Sequence, residues 1–271
     1  MLGFRTNTEH VDSRLEQAVE VFREHFEPRL QAIYLSGSWR EGTAVKGSDL
    51  DLILVLGGTT SHHDRKKLAT LVAALNEHAT PEIGPLVVDD AILSRPLPMY
   101  LKAAALLCGE DVFEDAAEMS AVDTQRRWTR GSLRLLNMLE HPNGGYDIGT
   151  PDEPRLKLFV SAVARMAGAR AAARGVCLAS KSACCLRYSD IVGGEDAGTV
   201  EDVYHVCKID WEYAWPTTAE GEALIPHLQE AVSAMEQRFR AEVARWIQQA
   251  KDTREPEALE WARQCSEYLT E

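Results

Sequence analysis

The sequence predicts an α+β chain, with strands and helices mixed in residues 1–115 and helices alone in residues 116–271. Three observations carry this. The first third holds short apolar runs bounded by glycine and proline, the pattern of buried strands. From Met99 onward strand signals nearly vanish and apolar residues recur at helical spacing. Between the first two apolar runs stand a Gly-Ser turn and an Asp-x-Asp pair, so the chemistry is concentrated in the N-terminal part.

Taken in order, Val11, Leu15, Val19, Phe22, Phe26 and Leu30 share one face of an opening helix over residues 9–30. A strand follows at 32–35 and an acidic strand at 49–56, with a Gly-Gly-Thr-Thr-Ser loop at 57–61. A helix over 65–78 places Leu68, Leu71, Val72 and Leu75 on one side, and Pro81 with Gly84-Pro85 ends it. Residues 86–93 read as a strand with Asp89 and Asp90 at its centre. Residues 99–107 read as a short helix ended by Gly109, and 124–139 as a longer one stopped by Pro142-Asn143-Gly144-Gly145. Helices are expected at 153–173, ended at Gly175, and from Lys181 with Ser180 as N-cap. Three more are expected at 199–211, 219–250 and 255–268. The domain boundary falls within residues 110–122.

The stretch from Gly37 to Leu52 carries the functional signal. Asp49 and Asp51 are separated by one residue at the start of an apolar strand, so both side chains point to one face. Like charges that close repel unless a cation lies between them or one takes up a proton. Hard oxygen ligands in this arrangement suit Mg²⁺. Gly37-Ser38, following Ala32-Ile33-Tyr34-Leu35, can offer backbone N–H groups and a hydroxyl to a phosphate. These are the parts needed for metal-assisted transfer of a phosphate-linked group. A second acidic feature is the Asp89-Asp90 pair in an apolar strand, where a carboxylate is costly unless paired or metal-bound.

Gly37-Ser38, a ten-residue gap and Asp49-Leu50-Asp51 entering a strand resemble the signature of the DNA polymerase β-like nucleotidyltransferase superfamily. The resemblance implies a mixed sheet with flanking helices, two Mg²⁺ ions on Asp49 and Asp51, and a third carboxylate from a neighbouring strand. Asp89 or Asp90 can fill that third place but not both, since they point to opposite faces; Asp90 is preferred because it leads into Ala91-Ile92-Leu93. Gly37, Ser38 and Ser48 would anchor phosphates. One departure is that Glu41 stands where many members carry arginine, with Arg40 one step earlier. The helical half resembles that of aminoglycoside adenylyltransferases acting on streptomycin and spectinomycin. The similarity rests on residues 159–165 and on Arg174-Gly175 followed by Ser180-Lys181. This implies ATP as co-substrate, Lys181 on its phosphates, Tyr204 (or Tyr213) near the nucleotide, and a cationic aminoglycoside as acceptor. The competing readings are a toxin-like nucleotidyltransferase acting on tRNA or a protein, and a degenerate nucleotide sensor.

Composition narrows the partners. A formal net charge of −13 argues against broad nucleic-acid binding, which needs a basic surface, and is compatible with a small cationic acceptor. The acidic run Glu110, Asp111, Glu114, Asp115 is a candidate contributor to that acceptor site. No apolar run reaches bilayer length and the N-terminus lacks a signal-peptide core, so the expectation is a cytoplasmic protein without a membrane partner. Six cysteines without metal-ligand spacing read as buried free thiols.

Overall fold

The computed structural model describes residues 2–140 and 145–270. The chain divides into two compact units, Met1–Ser120 and Ala121–Glu271. The first contains α1 (Glu9–Phe26), β1 (Leu30–Ser36), α2 (Gly37–Glu41), β2 (Leu50–Leu56) and α3 (His62–Asn76). It continues with β3 (Ile83–Asp89), α4 (Asp90–Leu93), α5 (Met99–Lys102) and β4 (Ala105–Gly109). Among the described residues the strands form one mixed sheet of order β3-β2-β1-β4, with β1 antiparallel to both neighbours and β2 parallel to β3. The α+β expectation and its helical second half both hold.

Alternation along β2 assigns the two faces. Leu50, Leu52, Leu54 and Leu56 pack with Ile33, Leu35 and the α1 residues Val11, Leu15 and Phe22. Ile53 and Val55 point the other way, into a cluster with Tyr34, Val88, Leu97, Leu101 and Phe113. Each fully buried side chain of this size contributes about 1.5–3 kcal/mol, so both faces are strongly specified. A one-residue slip would exchange them.

Two segments differ from the sequence expectation. The strand expected at 86–93 runs instead from Ile83 to Asp89, and Asp90 opens a short helix. Gly84 and Pro85 lie inside it, which β3 tolerates because it is an edge strand. The helix expected at 99–107 is split into α5 and β4, since pairing from Leu35↔Ala105 to Ala32↔Gly109 recruits the alanine-rich segment into the sheet. Tertiary pairing here overrides a weak local preference.

The second unit comprises α6 (Ala121–Leu139), α7 (Leu156–Ala173), α8 (Lys181–Leu186), α9 (Tyr188–Ile191), α10 (Ala197–Val203), a π-helical stretch (Tyr204–Asp210), α11 (Ala219–Thr253) and α12 (Pro256–Thr270). Its core centres on α7, which is buried on nearly all sides, as an alanine-rich helix without a polar face should be. The one arginine buried along it, Arg170, is bonded to Asp196 at 2.6 Å, Glu242 at 2.7 Å and the Tyr188 hydroxyl at 3.0 Å. Ser180 caps α8 as expected, its hydroxyl accepting the Ala183 N–H at 2.9 Å. The expected stop at Pro142-Asn143-Gly144 lies outside the described residues. Cys184, Cys185, Cys207 and Cys265 are buried free thiols, while Cys108 and Cys177 are half-buried. Among the described residues no helix is long and apolar enough to cross a membrane.

Candidate active site

The Gly-Ser turn and the Asp-x-Asp pair meet at one end of the sheet. β1 and β2 are antiparallel, so the end of β1 lies beside the start of β2, and Ser36 pairs with Asp51. The Ser36 hydroxyl donates to the Asp51 carbonyl at 3.2 Å. At Gly37 the backbone turns at φ +72° into α2. A Cβ at this position would stand 2.1 Å from Oδ2 of Asp51. Glycine is therefore required twice, for the left-handed backbone and for the carboxylate seated against it.

The connection from α2 to β2 is closed by its own bonds. The Ser48 hydroxyl is buried and accepts the Val45 N–H at 2.9 Å, and the Trp39 indole N–H donates to the Ser48 carbonyl at 3.5 Å. Gly42 ends α2 in the left-handed region and the Thr43 N–H returns to the Ser38 carbonyl at 2.9 Å. Ser48, expected as a phosphate anchor, thus closes its own loop through its hydroxyl oxygen and its carbonyl. Arg40 is exposed and Glu41 half-buried.

Asp49 and Asp51 are half-buried on the face that carries Ile53 and Val55. In the parallel ladder Asp51 is opposite Gly84, and Leu50 is opposite Ile83, its N–H donating to the Glu82 carbonyl at 2.7 Å. Continued one step back, this register brings Glu82 beside Asp49. Alternation then puts Glu82, Gly84, Asp49 and Asp51 on one face. Oδ2 of Asp49 lies 3.8 Å from where a Gly84 Cβ would be, which places its carboxylate over β3. The same face is covered at its far end, where Val88 is 0% exposed, and open near the carboxylates, where Leu86 is 41% exposed.

The structure does not bring Asp89 or Asp90 to this end. Asp89 is opposite Leu56, five residues along from the Asp51–Gly84 pair, or about 17 Å at the usual strand rise. Asp89 is buried and accepts the Thr60 N–H at 2.9 Å and the Ile92 N–H at 3.3 Å, capping α4. The Thr60 N–H bond lowers its pKa below the ordinary carboxylate range. Asp90 is exposed and accepts the Gly58 N–H at 2.7 Å. Both carboxylates pin the β2–α3 loop. Neither lies at the end of the ladder that holds Asp49 and Asp51, where the acidic residue continuing the β3 backbone is the exposed Glu82. The signal for Glu82 was the run Pro81-Glu82-Ile83-Gly84, hidden while Gly84-Pro85 was read as a helix stop.

The residues expected from the helical half occupy different settings within the second unit. Lys181 is exposed at the first turn of α8, and its ammonium donates to the Ser161 hydroxyl at 3.2 Å. Tyr204 is 3% exposed, packed in the core with the Lys208 ammonium 5.1 Å from its ring centre. The ring is thus enclosed by the core of the second unit. Tyr213 is half-buried against the same core. In the first unit Glu110, Asp111, Glu114 and Asp115 are exposed. Their loop is ordered by Lys102, which donates to the carbonyls of Phe113, Glu114 and Ala116 at 2.7, 2.8 and 2.7 Å.

Among the described residues no three His, Cys, Asp or Glu side chains are gathered closely enough to hold a metal ion by themselves. The donor chemistry nevertheless fits a divalent ion that completes its shell with water and phosphate oxygens. Asp49 and Asp51 are carboxylates sharing one face, and the glycine at 37 leaves the space that Asp51 occupies.

Residues 15–94, from α1 to just beyond α4, match the family model of the nucleotidyltransferase domain. The matched segment contains the turn, the Asp-x-Asp pair and Glu82. The match is to a domain of the polymerase β-like kind, a family whose reaction is nucleotidyl transfer from a nucleoside triphosphate. No curated protein matches the chain.

Proposed function

We propose that the chain moves AMP from ATP to a hydroxyl of a small cationic acceptor, an aminoglycoside, with pyrophosphate leaving. The observation that carries this reading is the seat of Asp51 against Gly37, which joins a phosphate-binding turn to a metal-binding pair in one site. Asp49 and Asp51 would hold two Mg²⁺ ions, which would supply charge screening for the triphosphate and acidify the acceptor hydroxyl. Gly37 and Ser38 hold the phosphate oxygens through the backbone and the Ser38 hydroxyl. Glu82, beside Asp49, takes the place expected of Asp90, as a further ligand and as acceptor of the hydroxyl proton. Lys181 is retained as a phosphate contact on the resemblance of the helical half. The aminoglycoside acceptor rests on that resemblance and on the net charge of −13.

The test is transfer of label from α-³²P-ATP, with Mg²⁺, to a panel of aminoglycosides, tRNA and a cell lysate. Label on an aminoglycoside, lost in Asp49→Ala and in Asp51→Ala, is the expected result. Transfer surviving both substitutions rejects the site. Label on tRNA or protein, with every aminoglycoside unmodified, rejects the acceptor and leaves the reaction class standing.

A further inference from the structure

Glu82 precedes an edge strand, and an edge strand has pairing on one side only. The Leu50 N–H takes the Glu82 carbonyl, so the next residue, Ile83, turns its N–H and C=O outward, away from β2. The next outward position is Pro85, which has no N–H to offer. The beginning of β3 therefore has one outward donor–acceptor pair by which its free side can be held.

That pair is taken by a single side chain. Asn76, the last residue of α3, donates from Nδ2 to the Ile83 carbonyl at 3.0 Å, and its Oδ1 accepts the Ile83 N–H at 2.8 Å. The two bonds close a ring in which the amide replaces a missing neighbour strand. Its orientation is fixed by the partners, since turning the amide over would face donor to donor and acceptor to acceptor. Asn76 is itself braced by Arg14 of α1, whose guanidinium donates to the Leu75 carbonyl at 2.6 Å and to Oδ1 of Asn76 at 3.4 Å.

We propose that Asn76 is a positioning residue for the carboxylate end of the site, holding Glu82 beside Asp49 through the backbone of Ile83. The proposal rests on the reading of Asp49, Asp51 and Glu82 as metal-binding carboxylates. The geometry gives the amide a task that fold stability alone does not require. β2 already holds β3 along seven register pairs, and Asn76 adds the constraint at the single residue next to Glu82. Groups that orient a metal ligand from behind typically change metal affinity 10–100-fold when removed.

The experiment is a titration of the full chain with Mn²⁺ alone, read by the signal of the free ion, with thermal unfolding recorded for every variant. Asn76→Ala is expected to weaken Mn²⁺ binding by about 10-fold. In a Glu82→Gln background the same change is expected to have no further effect, because the residue acts through Glu82. Equal loss in both backgrounds, or wild-type affinity in Asn76→Ala, overturns the proposal. A lowered Tm with unaltered Mn²⁺ affinity also overturns it and leaves Asn76 a structural cap. Should Asn76→Ala not fold, Asn76→Asp carries the same cycle, keeping the acceptor for the Ile83 N–H and setting a carboxylate oxygen against the Ile83 carbonyl in place of the donor. Asp51→Asn separates the two levels. Wild-type Mn²⁺ binding in that variant rejects the metal site and the Asn76 role with it. Weakened binding in Asp51→Asn, beside an additive Asn76 cycle, rejects Asn76 alone.

Discussion

The two ends of the β2–β3 pair carry the same chemistry and put it to different uses. At the start of β2, Asp49 and Asp51 stand on an open face beside a glycine turn, with Glu82 next in register. At the end of β3, Asp89 and Asp90 are occupied by the N–H groups of Thr60, Ile92 and Gly58. Acidic residues next to an apolar strand thus acquire a role from what lies within reach. A carboxylate given backbone donors is satisfied and becomes a structural clamp. Two that share a face repel one another, and a cation or a proton between them relieves that repulsion.

The largest expected effect separates the two ends directly. Asp51→Asn should lower AMP transfer by about 10³-fold or more, as loss of several kcal/mol of metal-borne transition-state stabilisation requires. Asp90→Asn should leave transfer within a few-fold of wild type. Equal losses at both ends, measured as label transfer at saturating Mg²⁺, would erase the distinction.

A smaller contrast compares two glycines around the carboxylates. Gly37→Ala puts a methyl group 2.1 Å from Asp51 Oδ2 at a positive φ, and should cost about 100-fold in transfer by displacing that carboxylate by an ångström or so. Gly84→Ala meets Asp49 Oδ2 at 3.8 Å, an ordinary contact, and should cost far less. Kinetics of the two variants at matched Mg²⁺ test whether the turn or β3 bears the closer constraint.

At the clamp end the effect should appear in stability. Asp89→Ala removes the α4 cap and the acceptor of a buried N–H, and should destabilise by about 1–3 kcal/mol, read by urea unfolding. Transfer per folded molecule should stay near wild type. The smallest effect is its pH dependence. The pKa of Asp89 is lowered in the folded state, so its contribution is present above the unfolded carboxylate value of about 4 and is lost as pH falls through the folded value. The stability gap between wild type and Asp89→Ala should therefore narrow between about pH 5 and pH 3. A gap that widens on acidification would contradict the clamp.

Much of the fold was legible in the sequence, and the exceptions have physical causes. Apolar periodicity located α1, α3 and the long helices, and Ser180 marked the start of α8. β4 was hidden because Ala103-Ala104-Ala105-Leu106-Leu107 has no strand character of its own until β1 supplies a partner. Gly84 and Pro85 resembled a stop because both are rare in strands, and only an edge position makes them acceptable. Tyr204 carried no mark that distinguished a ligand contact from a core ring, since an apolar ring with a polar tip serves either role.

Local chemistry was enough to single out the candidate turn and acidic pair. Alternation puts Asp49 and Asp51 on one face whatever surrounds them, and Gly37-Ser38 offers a turn whose backbone only glycine adopts freely. Which acidic residue lies at the same end of the neighbouring strand was beyond that reach. Pairing direction and register are set by which strands bury their apolar faces together, a property of distant segments that no local pattern contains. Parallel pairing of β2 with β3 aligned their starts, carried Asp89 about 17 Å from the Asp51–Gly84 pair, and set the Glu82 carbonyl on the Leu50 N–H.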